Sequence, residues 1–274
     1  MAKITLEEAI RNAEQGDINC MRILGDYYAK QNTGDGLDKA AKWYEQAAQR
    51  HDLYSMFQLV LCKTTQALAG DSVIGKVEYA IEFAEPDWDE AYSWSKTLLH
   101  CLDEGKAGSE AISIDRAKVI KHFNDASYQL ALHNYHLNNY AKALTVLENQ
   151  TDTRARVLYG ACLAQTANTP DDYKAAYNYL ALIDKNRSYS AADKYASAEK
   201  TMLEEQVYVI AAVQLSIFYR NGIATSGGAA DLNAAVSLLE SVFPFVQRDD
   251  NKQFIENEWR HYQKKLFGGY KYIP

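Results

Sequence analysis

The stretch Leu24–Ala48, LGDYYAKQNTGDGLDKAAKWYEQAA, decides the fold class. Its first part puts Leu24 and Tyr28 on one helical stripe with Met21 and Cys20 from the preceding turn, around the small residue Gly25. A polar loop, Asn32-Thr33-Gly34-Asp35-Gly36, then separates it from a second helix opening at the acidic cap Asp38. One face of that helix runs Ala40, Tyr44, Ala47 and Ala48, which is small apart from one aromatic step. Two helices approach closely only where one presents a small side chain. Gly25 on the first and Ala40 on the second are therefore expected to face each other.

The same arrangement recurs along the chain, and recurrence is the sign of a repeat architecture. LALHNYHLNNYAKALTVLE spans 130–148, LYGACLAQ (158–165) precedes DYKAAYNYL (172–180), and LSIFYRNG (215–222) precedes LNAAVSLLE (232–240). The small residue is Ala131, Gly160 or Ser216, and the following alanine is Ala143, Ala175 or Ala234. A single pair cannot bury its second apolar face, so pairs are expected to stack on their neighbours. Upstream, Thr5 with Glu8 forms a capping-box pattern before the stripe Leu6, Ala9, Ile10 and Ala13. Gly16-Asp17 ends that helix and starts the next.

Residues 130–148 resemble a tetratricopeptide repeat, with Leu130, Ala131, Tyr140, Ala143 and Leu147 at the signature positions. Leu24–Ala48 is more similar to a Sel1-like repeat, through its LG, YY, glycine loop and KAxxWYxxAA pattern. Tyr219-Arg220-Asn221-Gly222, with Asp231 and Ala234, resembles the Sel1 form again. The small-to-alanine separation is 12 residues for Ala131–Ala143, 15 for Gly25–Ala40 and Gly160–Ala175, and 18 for Ser216–Ala234. Sel1-like repeats differ from tetratricopeptide repeats mainly by that longer inner loop.

The resemblance implies an all-α, right-handed superhelix of antiparallel helix pairs, with about 10–14 helices in one solenoid. Sel1-like pairs are expected near 17–50, 154–182 and 206–242, and a tetratricopeptide-like pair near 125–150. Residues 64–115 depart from the repeat. Val77–Ala84 and Trp88–Leu102 are expected as helices around Glu85-Pro86, with a loop at Glu104–Ile112. Arg50-His51-Asp52 stands where a glycine is usual. Residues 185–200 are polar, Tyr- and Ala-rich helix or loop, and a capping helix is expected from Asp250 to Phe267.

In such solenoids the first helix of each pair lines the concave face. The register implies partner-binding positions at Arg22, Asp26 and Lys30, at Tyr128, Leu132 and Tyr135 with His136 at the edge, at Arg154 and Val157, and at Arg220. Arginine forks suit carboxylates and tyrosines suit backbone and apolar groups. A short, partly acidic peptide or protein edge is the expected occupant.

Composition bears on other classes. The 274 residues include only four prolines and 14 glycines, which leaves room for long helices, and 20 tyrosines. The formal charge of −7 argues against nucleic-acid binding, which needs a basic surface. Charge is uneven: residues 71–115 carry 11 acids and three bases, and residues 251–274 carry five bases and two acids. A second reading follows, in which the basic tail Trp259–Tyr272 docks on the acidic stretch of another copy as a weak homo-oligomer.

Cys20, Cys62, Cys101 and Cys162 lie far apart, without the close pairs a zinc site uses. Buried thiols in a reducing cytoplasm are expected, since the N-terminal residues lack the apolar core of a signal peptide. No apolar run is long enough for a membrane span.

Enzyme signatures are absent. His133 and His136, with His122 and Asp125 upstream, lack metal-site spacing. GDSVIGKV at Gly70–Val77 has Val77 where a phosphate loop needs Ser or Thr. Gly227-Gly228 reads as a flexible connection, and the acids of Glu85–Glu90 read as a solvated helix start. The four tryptophans (43, 88, 94 and 259) read mainly as core packing. No catalytic residue, metal or cofactor is expected, and function falls to partner binding, with an enzyme bearing an unrecognised cleft as a further alternative.

Overall fold

The computed structural model describes residues 4–31, 33–72, 87–104, 114–185, 198–223, 225–266 and 268–274. Among the described residues, the regular structure is helical apart from one short terminal hairpin. It divides into two compact units, Met1–Leu130 and Ala131–Pro274.

The first unit begins with α1 (Leu6–Glu14) and α2 (Ile18–Ala29). Thr5 and Glu8 form the expected capping box on α1. Gly16 turns the chain at φ +101°, a conformation that costs glycine little, and the Asp17 carboxylate accepts the Cys20 N–H at 3.1 Å to open α2. Next come α3 (Gly34–Ala48), α4 (Leu53–Ser72) and α5 (Trp88–Asp103). Each of these helices packs on the next. Ala9, Ala13, Cys20, Met21, Leu24 and Ala47 form one buried cluster, while Ala40, Tyr44, Met56, Leu59, Leu98 and Val119 belong to another.

Three local outcomes sharpen the sequence reading. The third helix does not wait for Asp38. Thr33 caps it by accepting the Gly36 N–H at 3.0 Å, so most of the glycine loop is wound into α3. Arg50-His51-Asp52 lacks a glycine, yet His51 takes its place at φ +61°. Asp87 caps α5 by accepting the Glu90 N–H at 3.0 Å, as the acidic start predicts. Gly70, Asp71 and Ser72 end α4; Val77–Ala84 and most of Glu104–Ile112 lie outside the described residues.

The helix α6 (Arg116–His136) gives its first part to one unit and its last turns to the other. The second unit continues with α7 (Tyr140–Leu147), α8 (Thr153–Thr166), α9 (Pro170–Leu180), the single turn α10 (Leu182–Lys185), α11 (Ala198–Arg220), α12 (Leu232–Val242) and α13 (Asp249–Trp259). Here α7 packs on α8, α8 on α9 and α11, and α11 on α12 and α13. Residues 186–197, most of the doubtful 185–200 stretch, lie outside the described residues.

The expected helix from Asp250 to Phe267 is corrected. Helix α13 stops at Trp259, and β1 (Tyr262–Lys264) pairs antiparallel with β2 (Tyr270–Tyr272), Tyr262 opposite Tyr272. Gly268 and Gly269 adopt φ +88° and +74°, which a helix cannot contain. Tyr262 anchors the hairpin by donating its hydroxyl to Glu258 at 2.7 Å.

The close approach between paired helices is present, but its partner lies one turn further on. A β-carbon added at Gly25 would sit 2.6–2.7 Å from Cδ1 and Cζ of Tyr44, so its nearest neighbours belong to that ring and not to Ala40. One added at Gly160 would sit 2.5 Å from Tyr179 Cβ and 3.1 Å from the Ala176 carbonyl oxygen. Tyr44 and Tyr179 each stand four residues beyond the alanine that the sequence pattern singles out.

Candidate partner-binding site

Helix α2 buries Cys20, Met21, Leu24 and Gly25 and turns Asn19, Ile23, Tyr27 and Lys30 outward. Those outward positions are three or four apart, so they form one surface stripe. Ile23 and Tyr27 are each 47% exposed. Arg22 and Asp26 flank the stripe, partly buried, and reach across to α3 and α4.

These two side chains anchor a polar network. Asp26 Oδ1 accepts the hydroxyl of Tyr44 at 2.6 Å and that of Tyr54 at 2.8 Å. Arg22 Nε donates to Asp52 Oδ1 at 2.8 Å, and its guanidinium lies 5.9 Å from the Tyr54 ring centroid. Asp52 also accepts the Ser55 N–H at 2.9 Å, at the start of α4. One carboxylate thus gathers two tyrosines, while the other joins an arginine to a helix start.

The electrostatics make this network a support. Burial alone would raise the Asp52 carboxyl, but hydrogen bonds from Arg22 and Ser55 and the arginine charge bring it below its ordinary value. Burial, then the bond to Asp26, pushes the Tyr54 phenol up to about 12 and raises Tyr44 also. The phenols therefore stay protonated and Asp52 stays ionised near neutral pH, so none of these three exchanges a proton there. What the network does is fix the backbone and flank of α2.

The other expected positions fall elsewhere. Tyr128 is fully buried, and Leu132, Tyr135 and Val157 are buried too, so they present no surface in this conformation. Tyr135 accepts a hydrogen bond from Gln214 Nε2 at 3.3 Å and packs edge-on against Tyr140. His136 keeps an exposed face, with Nε2 3.1 Å from Gln206 Nε2, and partial desolvation of its ring, then the nearby His133, hold its pKa below the ordinary value. Arg154 pairs with Asp152, the residue that caps α8. Arg220 donates to Glu258 at 2.6 Å beneath the Tyr272 ring, 4.5 Å away. Of the ten binding positions, the structure brings together Arg22 and Asp26 on α2 and Lys30 at its C-cap.

Sequence reasoning missed Ile23, Tyr27, Asp52 and Tyr54. The first two were legible as the i, i+4 pair opposite the buried stripe. Tyr54 and Asp52 lie one helix onward, where no local pattern ties them to α2.

The remaining motifs look self-contained. Ser226–Gly228 forms one 3-10 turn, with the Thr225 hydroxyl donating to the Ala229 carbonyl at 2.7 Å and the Gly228 N–H directed to the Thr225 carbonyl. The His122 ring packs edge-on against Phe57 at 6.2 Å. The cysteines are free and buried, with burial pushing Cys62 up to about 11 and Cys162 to about 12. No group of three or more metal-binding side chains gathers among the described residues, and no described helix is long and apolar enough to cross a membrane. No protein-family model matches the chain, and no curated protein matches it.

Proposed function

We propose that the chain is a helical-repeat scaffold of the Sel1-like and tetratricopeptide kind, which holds a segment of another protein along the outward stripe of α2. The observation that carries this reading is the pairing of half-exposed Ile23 and Tyr27 with a backing network that fixes the helix beneath them. An aromatic and an aliphatic side chain on a rigid support suit a hot spot, because little ordering is left to be done on binding. The recurring glycine-to-tyrosine interlock, at Gly25–Tyr44 and Gly160–Tyr179, supports the repeat reading. So does the successive packing of α1 on α2, α2 on α3, α3 on α4 and α4 on α5.

Arg22 and Arg220 are engaged by Asp52 and Glu258, so they are less suited to take a partner's carboxylate than the sequence implies. Exposed Lys30 is better placed for that role. The expected ligand is a short extended segment with an apolar side chain for Ile23 and Tyr27 and an acidic group for Lys30. Buried free thiols with raised pKa values are compatible with a reducing compartment, and we place the protein in the cytoplasm on that basis.

Affinity capture from the native cells, compared between wild type and Tyr27→Ala/Lys30→Ala, tests this. Loss of an aromatic anchor costs about 2 kcal/mol or more, so a specific partner should weaken about thirtyfold or more. Thermal stability should change little, because both side chains are exposed. Identical recovery by the two proteins contradicts the assignment to α2.

A further inference from the structure

The C-terminal hairpin is anchored at its base and projects at its tip. Tyr262 is buried and bonded to Glu258, Tyr270 donates to Glu240 at 3.3 Å, and the Tyr272 ring covers Arg220. The Ile273 N–H closes the base on the His261 carbonyl at 2.7 Å. At the other end, Lys265 donates its N–H to Gly269 at 3.0 Å, and Gly268 closes a tight turn back on Lys265 at 3.3 Å. A β-carbon added at Gly268 would meet nothing within 4 Å, so the turn is open on that side, while one added at Gly269 would meet Asn233 Oδ1 at 3.5 Å.

This tip combines two properties that water disfavours together. Leu266 is 99% exposed, the highest value among the exposed large apolar residues. Lys264 and Lys265 precede it in the chain, Lys271 stands on the facing strand and Arg260 lies before the hairpin base; all four are exposed, and residues 260–274 contain no acid. The segment carries four formal positive charges on a chain of net −7, so the remaining residues carry −11. An anionic surface attracts this segment and repels the chain's other residues on average, which limits contact to the hairpin.

We propose that the hairpin tip is a peripheral docking element for an anionic lipid bilayer. Leu266 enters the boundary between headgroups and acyl chains, while Lys264, Lys265 and Lys271 pair with lipid phosphates. A bilayer suits the geometry because it accepts a protruding aliphatic side chain at any lateral position. It also places negative charge in a layer just outside an apolar one, matching cations set behind a leucine. A rigid acidic protein surface matches the lysines but has no general use for the leucine. Each basic residue is worth about fivefold in affinity at such a surface, so binding is reversible and sensitive to salt.

Co-sedimentation of the full chain with phosphatidylserine–phosphatidylcholine vesicles tests the proposal, with pure phosphatidylcholine vesicles and soluble polyglutamate as comparisons. Binding should require phosphatidylserine and weaken as salt rises. Lys264→Glu/Lys265→Glu should lower it by more than about tenfold, and Leu266→Ala by about fivefold. All three positions are exposed, and an unchanged melting temperature checks that the variants remain folded. No binding to phosphatidylserine vesicles, or equal binding to both lipid types, overturns the proposal. Binding to polyglutamate that ignores Leu266→Ala also overturns it, in favour of an acidic protein partner. None of these outcomes bears on the α2 stripe.

Discussion

Tyr44→Ala is expected to destabilise the first unit by about 3–5 kcal/mol, the cost of truncating a large buried aromatic. Tyr44 is 1% exposed, its ring fills the space over Gly25, and its hydroxyl bonds Asp26. The informative comparison is with Gly25→Ala. In the wild-type background the added methyl meets the Tyr44 ring and should cost about 1–3 kcal/mol through overpacking. In the Tyr44→Ala background the ring is gone, and the same methyl should cost nothing or stabilise by raising helix propensity. Urea unfolding of the four proteins gives the coupling directly. A value of about 1 kcal/mol or more identifies the interlock, whereas simple additivity means that the two residues do not share this space.

Arg22→Ala is expected to cost about 3 kcal/mol, because it leaves the Asp52 carboxylate buried without its cation. The Asp52 side chain is 4% exposed and that of Arg22 is 21% exposed. Adding Asp52→Asn should recover part of the loss, since asparagine removes the charge and can still accept the Ser55 N–H. The pH dependence has a definite sign. In the wild type, the folded pKa of Asp52 lies below the unfolded value. Its contribution is therefore present above the unfolded pKa and is lost as pH falls through the folded one. In Arg22→Ala only the hydrogen bonds from Ser55 still oppose burial, so the carboxyl titrates higher than in the wild type. The gap between variant and wild type should narrow as pH falls below about 5. A gap that stays constant from neutral to acid would show that the charge of Asp52 is not what Arg22 serves.

The legible parts of the fold were those written within a few residues. Thr5 with Glu8, Asp17 before Cys20 and Asp87 before α5 all act at helix starts, because a cap and its target N–H lie three residues apart. The buried face of α3 was legible for a similar reason: its other side is polar, so periodicity selects one stripe. Helix α6 offers no such contrast. Ala126, Ser127, Tyr128, Leu130, Ala131, Leu132, Asn134 and Tyr135 are all buried, so the helix is covered around most of its circumference. A register borrowed from exposed first helices placed Tyr128, Leu132 and Tyr135 in a groove, whereas the structure places them in the core.

Non-local pairing was the other limit. Helical spacing gives Arg22 an exposed address, but Asp52, 30 residues away, partly buries it. Arg220 meets Glu258 across 38 residues in the same way. The hairpin was hidden because YQKKLFGGYKY is short and charged, and only the two glycines signal reversal. The separation of small residue and alanine was visible as a pattern, yet it did not name the side chain that comes nearest. In a close helix pair the small residue receives the large side chain of the next turn, so Gly25 receives Tyr44.

The most direct test of the scaffold reading is site-specific photo-crosslinking in the native cells. A photoreactive residue is placed in turn at Ile23, on the outward stripe of α2, and at Gln46, exposed on α3. The account predicts a discrete protein adduct from position 23 that is absent from position 46 and is lost when Tyr27→Ala/Lys30→Ala is added. Adducts from position 46 alone, or adducts from position 23 that ignore those substitutions, would contradict it.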